Sequence, residues 1–295
     1  MTGRVRKRRV ALPGAIAALA IAVVLPLASG GGAASAKGGH GVTLATQTYT
    51  LSTANNGQRF TVSCPGHRIP FGGGMTSTPP PDQGTGEGIY PHSYERLGVQ
   101  HGYHITASLV SPSNNPAPRL ITLQVLCGSK LGHMTPPHTT VQVNPGESKT
   151  AIATCPGKRH LIGGGFQRTD FSNTGGDYVT ASHAISSKSW EVDGHAFGDF
   201  GGEMTAIAYC LHSKQPLVTE VSGTATIQPH QAGTATTTPC PAGRKLVFGG
   251  FSTDPAGSTY FTNGGWNPDL TRSATGFDNG DAPSTITVYG YCLRT

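Results

Sequence analysis

The chain has 295 residues, of which only 12% are charged, together with 42 glycines and six cysteines. That length is ample for a sizeable core, and low charge with Gly, Ser, Thr and Asn between short apolar runs points to a secreted all-β protein. The formal charge of +6 overstates the basic character: five of the 21 Lys and Arg lie at the extreme N-terminus, and without them 16 basic residues face 15 acidic ones. Such a balance gives no support for nucleic-acid or anionic-membrane binding, which need a basic face on the folded domain.

Residues 1–36 read as a secretory signal. Arg4, Arg6, Lys7, Arg8 and Arg9 form a positive start, an apolar stretch follows over 10–27, and Ala34-Ser35-Ala36 is a small-x-small cleavage site. The mature chain is therefore expected to begin at Lys37 and to be extracellular. An uncleaved membrane anchor is the rival reading; Pro13, Pro26 and a length near the lower limit for a span argue against it. No LPxTG-like sorting signal or lipobox cysteine is seen, so covalent anchoring is not expected.

The remainder is three repeats, at 42–129, 138–213 and 217–294, and a repeat constrains architecture more than local propensity does. Each opens on a cysteine turn: Cys64-Pro65-Gly66-His67-Arg68, Cys155-Pro156-Gly157-Lys158-Arg159 and Cys240-Pro241-Ala242-Gly243-Arg244. A glycine run and a large apolar residue follow, ending in Gly74-Met75, Gly165-Phe166 and Gly250-Phe251. Each repeat closes on an alternating run that reaches a second cysteine, Cys127, Cys210 or Cys292.

In repeat one, Ile121, Leu123 and Val125 alternate with Thr122, Gln124 and Leu126. Residues 76–87, rich in Pro and Gly, read as an inserted exposed loop. Repeat two predicts strands at 140–143, 150–155, 161–166, 177–185, 190–197 and 205–211, separated by turns such as Asn144-Pro145-Gly146-Glu147. There Ile207 and Tyr209 alternate with Ala206 and Ala208. In repeat three, Ile286 and Val288 alternate with Thr287 and Tyr289. No helical periodicity is found, so the prediction is all-β with antiparallel pairing. Counting back from the closing cysteine aligns Trp190 with Arg272, and the matching strand of repeat one begins near Tyr103. Glycines inside a strand mark a bulge or the close approach of another backbone; no helix follows them, so a phosphate loop is not expected.

Six cysteines placed two per repeat in an exported chain read as disulfides. Zinc is the competitor, but there is no Cys-x-x-Cys and no His at ligand spacing. Two pairings respect the repeat. One closes each repeat on itself, as Cys64–Cys127, Cys155–Cys210 and Cys240–Cys292. The other links neighbours. The first is favoured because each repeat then closes itself.

The unit Cys-Pro-x-Gly, Gly-Gly-Gly-Phe, a Trp strand and Tyr-Cys-Leu resembles a repeat of small exported proteins from high-GC Gram-positive bacteria. It is distantly similar to the vitelline membrane outer layer family. The best-matching residues are Cys155, Pro156, Gly157, Gly164, Gly165, Phe166 and Cys210; repeat three departs at Ala242 and Phe248. The resemblance implies a β-prism with pseudo-threefold symmetry and carries over no catalytic residue.

Sugar binding is the leading functional expectation. Lectin sites on β-prisms pair an aromatic platform with polar loop groups. Tyr178, Trp190, Trp266 and Tyr260 are the stacking candidates, and Asp177, Asn263, Asn267 and Asp269 the polar ones. The plainer reading makes Trp190 core and packs Trp266 on a loop. Five histidines, His92, His101, His104, His133 and His138, cluster in and just after repeat one, but i and i+3 on a strand face opposite sides. A polysaccharide-acting enzyme would need two carboxylates among Asp170, Asp177, Glu191, Asp193, Asp199 and Glu203. No Ser-His-Asp motif supports acyl transfer. The chain therefore reads as a non-catalytic extracellular or cell-envelope binding protein, with glycan or cell-wall polymer as partner and no cofactor or metal. The alternatives are that enzyme or a structural coat protein.

Overall fold

The computed structural model describes residues 42–51, 57–79, 87–97, 102–110, 117–128, 134–169, 177–196, 201–255 and 257–294. The expected signal segment and residues 80–86 of the expected loop lie outside them. Each repeat supplies six strands. Repeat one gives β1 (Thr43–Leu51), β2 (Gln58–Ser63), β3 (Ile69–Thr78), β4 (Gly88–Leu97), β5 (Gly102–Val110) and β6 (Arg119–Gly128). Repeat two gives β7 (His138–Val143), β8 (Ser148–Thr154), β9 (Arg159–Arg168), β10 (Asp177–Ala184), β11 (Ser189–Ala196) and β12 (Gly202–His212). Repeat three gives β13 (Val218–Ile227), β14 (Ala232–Thr236), β15 (Arg244–Asp254), β16 (Thr259–Trp266), β17 (Arg272–Asp278) and β18 (Ser284–Arg294).

The strands form three six-stranded antiparallel sheets: sheet I, β1-β6-β3-β16-β17-β14; sheet II, β13-β18-β15-β10-β11-β8; and sheet III, β2-β5-β4-β9-β12-β7. Every repeat divides in the same way. Its first, third and sixth strands enter one sheet, and its second, fourth and fifth enter the next. Each sheet is thus two half-sheets from different repeats, and the three sheets make a prism-like body with pseudo-threefold symmetry.

The glycine runs make these joins possible. A Cβ on the third glycine would lie 2.4 Å from the Gly264 carbonyl oxygen at Gly74, 2.1 Å from that of Tyr94 at Gly165, and 2.4 Å from that of Ser182 at Gly250. Real Cβ atoms do not approach so closely, so only glycine lets the strand meet the neighbouring repeat. The middle glycine has a different task. Gly73 lies under the Tyr103 ring, Gly164 under Trp190 and Gly249 under the Arg272 side chain. These three are the positions that the spacing from the closing cysteine aligns. At the first position repeat three has Phe248, which fills the space that Gly72 and Gly163 leave open.

Around the axis the apolar residues after the runs meet. Phe166 and Phe251 rings lie 6.1 Å apart, Phe251 stacks on Phe261 at 3.7 Å, and Tyr94 packs on Phe166 at 5.3 Å. Ile121, Leu123 and Val125 point inward as their alternation predicts. In β12 the inward face is Met204, Ala206 and Ala208, and Ile207 lies half-buried on the outer face. Small residues suffice there because Trp190 lies over Gly164, the register partner of Ala208. The expected loop at 76–87 begins later than predicted: Thr76, Ser77 and Thr78 pair with Thr122, Ile121 and Leu120 at the end of β3.

Disulfides join Cys64 to Cys127, Cys155 to Cys210 and Cys240 to Cys292, the pairing in which each repeat closes itself. A sequence separation of 55, as in the second, corresponds to about 4 kcal/mol in the chain-entropy account. A hydrogen-bond latch adds to each junction. The Tyr209 hydroxyl accepts from the Arg96 amide at 2.7 Å, and the Tyr291 hydroxyl accepts from the Ala184 amide at 2.7 Å. Repeat one has Leu126 at this position. Its Gln124 takes over, accepting from the Trp266 amide at 2.7 Å. Tyr209→Phe, Tyr291→Phe and Gln124→Ala each leave a part-buried amide without this acceptor. We expect each to cost about 1–3 kcal/mol in denaturant unfolding of the oxidised protein; losses below about 0.3 kcal/mol would show that the latch is incidental.

Candidate functional site

In each sheet the third glycine lies between two residues, one from the sixth strand and one from the adjoining repeat. In sheet I these are Gln124 and Gly265, in sheet II Tyr289 and His183, and in sheet III Ile207 and Glu95. Their chemistry differs from sheet to sheet, although the glycine itself is buried in all three. In sheet I the Gln124 amide folds across, bonding the Trp266 amide and, at 3.3 Å, its carbonyl. In sheet II the His183 imidazole stacks on the Tyr289 ring at 4.8 Å and 13°. In sheet III Ile207 is too short to reach across. Glu95 turns away towards β5, where its Oε1 lies 3.2 Å from His104 Nε2.

The outcome is an open groove of about 460 Å³ over β4, β9, β12 and β7. Glu95, His138, Gln167, Glu203, Thr205 and Ile207 line it. The Thr140 and Thr205 hydroxyls bond at 2.8 Å across its β7 wall. Carboxylates, an amide, hydroxyls and an imidazole beside an aliphatic patch suit a polyhydroxylated ligand. They do not form a glycosidase pair. Glu95 and Glu203 are separated by two strand spacings and four residues along the strand, about 16 Å between Cα atoms, and the Glu95 carboxyl turns away from Glu203 towards His104 of β5, whereas such enzymes bring two carboxyls together across the substrate.

The residues singled out from the sequence do not assemble into one site. Tyr178 stacks on Tyr260 at 4.1 Å, and Tyr90, which sequence reasoning missed, meets them edge-on at 5.7 and 6.2 Å. The three occupy equivalent places on β10, β16 and β4 and touch one another, so they lie about the pseudo-threefold axis. They plug it and offer no open platform. Burial, then the neighbouring Tyr260, pushes the Tyr178 phenol up to about 12. Trp190 is core, 1% exposed, with Nε1 donating to the Ser182 hydroxyl at 3.0 Å. Trp266 is buried at the far end of β16, with the Arg272 guanidinium 4.8 Å from its ring centroid. Six residues separate Tyr260 from Trp266, about 20 Å of strand. Asn263 is buried. Asp269 serves the turn before β17, accepting from the Thr271 amide at 3.0 Å and hydroxyl at 2.6 Å, and Asn267 donates to Thr271 and Ser273. The Asp177 side chain lies outside the described residues.

Of the repeat-two carboxylates, Asp170 and Asp199 also lie outside the described residues. Glu191 and Asp193 share the outer face of β11. Asp193 accepts from the Thr150 hydroxyl at 2.6 Å, and burial, then the Asp193 charge, raises the Glu191 carboxyl. Among the histidines, His101 and His133 are outside the described residues, His104 meets Glu95 and His138 lines the groove. No protein-family model matches the chain, and no curated protein matches it.

His92 is the bulge residue of β4, buried, with Nε2 2.9 Å from the Ser108 hydroxyl. Burial, then the Arg168 charge, lowers its pKa to about 3. Its folded pKa is below the unfolded value near 6.5, so its contribution to stability is fully present above about pH 6.5 and is lost as pH falls towards 3. His92→Asn should flatten the acid limb of the stability profile by up to about 1.4 kcal/mol per pH unit between pH 6 and 4. Parallel profiles for the two proteins would contradict this.

Proposed function

We propose that this is an exported, non-catalytic binding protein that holds a carbohydrate or cell-wall polymer in the groove of sheet III. The observation that carries the reading is the groove over β4, β9, β12 and β7, at the rung where Ile207 and Glu95 stand in the places that Gln124, and the stacked Tyr289 and His183, take in sheets I and II. Alternating donors and acceptors with an aliphatic floor meet sugar hydroxyls and C–H surfaces together. Three disulfides suit an oxidising compartment. Among the described residues no helix is long and apolar enough to cross a membrane. The likeness to the vitelline membrane outer layer family belongs to this reading, since three repeats in three sheets is the arrangement it implies.

One observation favours a second reading. Glu191 and Asp193, two apart on one face of β11, stand about 7 Å from each other at Cα, and the raised Glu191 beside Asp193 is how an acid–base pair is divided. Product analysis on polysaccharides tests that enzyme directly.

The binding reading is tested by writing the rung of sheet II into sheet III. Glu95→His with Ile207→Tyr should fill the groove with a ring stack like that of His183 and Tyr289. In a screen of glycans and cell-wall polymers on the oxidised protein, we expect competable binding by the parent and at least tenfold weaker binding by the double variant at unchanged Tm. Equal binding by both, or none by the folded parent, would overturn the assignment.

A further inference from the structure

A second feature of the molecule lies inside it. Arg272 is at the position that Tyr103 and Trp190 occupy in the other repeats, and it is 3% exposed. Its side chain runs over Gly249, and Nη1 donates to the Gly73 carbonyl at 3.2 Å. The Nε atom is buried without a hydrogen-bond partner among the described residues, and no carboxylate there forms an ion pair with the guanidinium. The neighbours whose electrostatics act on it are the phenols of Tyr94, Tyr103 and Tyr291, with the Trp266 ring beneath.

A guanidinium does not escape burial by losing its proton. Burial of an unpaired charge is strongly unfavourable, and one aromatic face offsets only part of that. The same side chain lines a cavity of about 20 Å³ in the axial core. Gly249, over which Nε lies, lines it too, with Phe166, Phe251 and Phe261. A volume above about 10–15 Å³ admits a particle of water size. Ring edges carry the positive end of the aromatic quadrupole and so favour negative charge.

We propose that the axial cavity is a binding site for one small monovalent anion of the chloride class, held by Arg272 and by the edges of the surrounding rings. The anion is a built-in counter-ion: it occupies the folded protein and is released on unfolding. Repeats one and two need no such ion, because Tyr103 and Trp190 are neutral.

Mass action supplies the test. The protein, with its disulfides intact, is unfolded and refolded in sodium gluconate and then titrated with chloride at constant ionic strength. We expect Tm to rise by about 5 °C over a hundredfold increase in chloride. Arg272→Tyr and Arg272→Trp, the residues of the other two repeats, should show no such rise. A crystal grown in bromide should show an anomalous peak at hydrogen-bond distance from Nε. A Tm indifferent to chloride, an unchanged chloride response in a folded variant, or density of water strength with no anomalous signal would each overturn the proposal. If neither variant folds, the bromide crystal of the parent decides alone.

Discussion

The molecule depends on backbone meeting backbone at Gly74, Gly165 and Gly250. At each, the fourth strand of another repeat comes so close that its carbonyl oxygen lies 2.1–2.4 Å from where a Cβ would be. Those contacts join two half-sheets into one, and there are three of them because there are three repeats. No repeat owns a complete sheet, so none can bury its apolar face alone. The disulfides tie the first and last parts of each repeat together, and the tyrosine and glutamine latches bond one repeat to the next.

Threefold repetition at the backbone does not extend to the side chains, and the differences are where chemistry enters. Inside, Tyr103, Trp190 and Arg272 share one position over the middle glycine, and Phe248 alone fills the space left by two glycines at the first. Outside, the rung across the third glycine differs on every face. Gln124 folds across one, His183 and Tyr289 stack on another, and Ile207 and Glu95 stand on the third, where the groove lies. A groove made in this way needs no special loop.

Much of the fold was legible because it rests on local rules. Repeat symmetry reduced the disulfide pairings to two, of which the one that closes each repeat on itself is present; period-two alternation located the strands of repeat two within a few residues, and in-strand glycine signalled close approach. The site was less legible, for three physical reasons. Alternation identifies the two faces of a strand but not which is inward, so Ile207 and Ala206 could not be assigned until the volume of Trp190 was placed. Bulges at His92, Thr180 and Thr262 disturb the count along the fourth strands, and Tyr90 stands apart from Tyr178 and Tyr260 behind the repeat-one insertion. Finally, the groove is defined by a side chain too short to cross it, and no motif records that. Aromatic residues drew attention as platforms, yet Trp190 and Trp266 are buried because the strand positions they occupy face the core.

The central claim is that the glycine joins make three repeats into one cooperative body. Native-state hydrogen exchange on Gly165→Ala tests it most directly, since the added Cβ strikes the Tyr94 carbonyl at the join of β9 and β4 and the Tyr209 hydroxyl that latches it. Cooperative coupling predicts that protection falls by the same amount in β3, β15 and β18 as in β4 and β9. Loss confined to sheet III, or wild-type protection throughout, would contradict it.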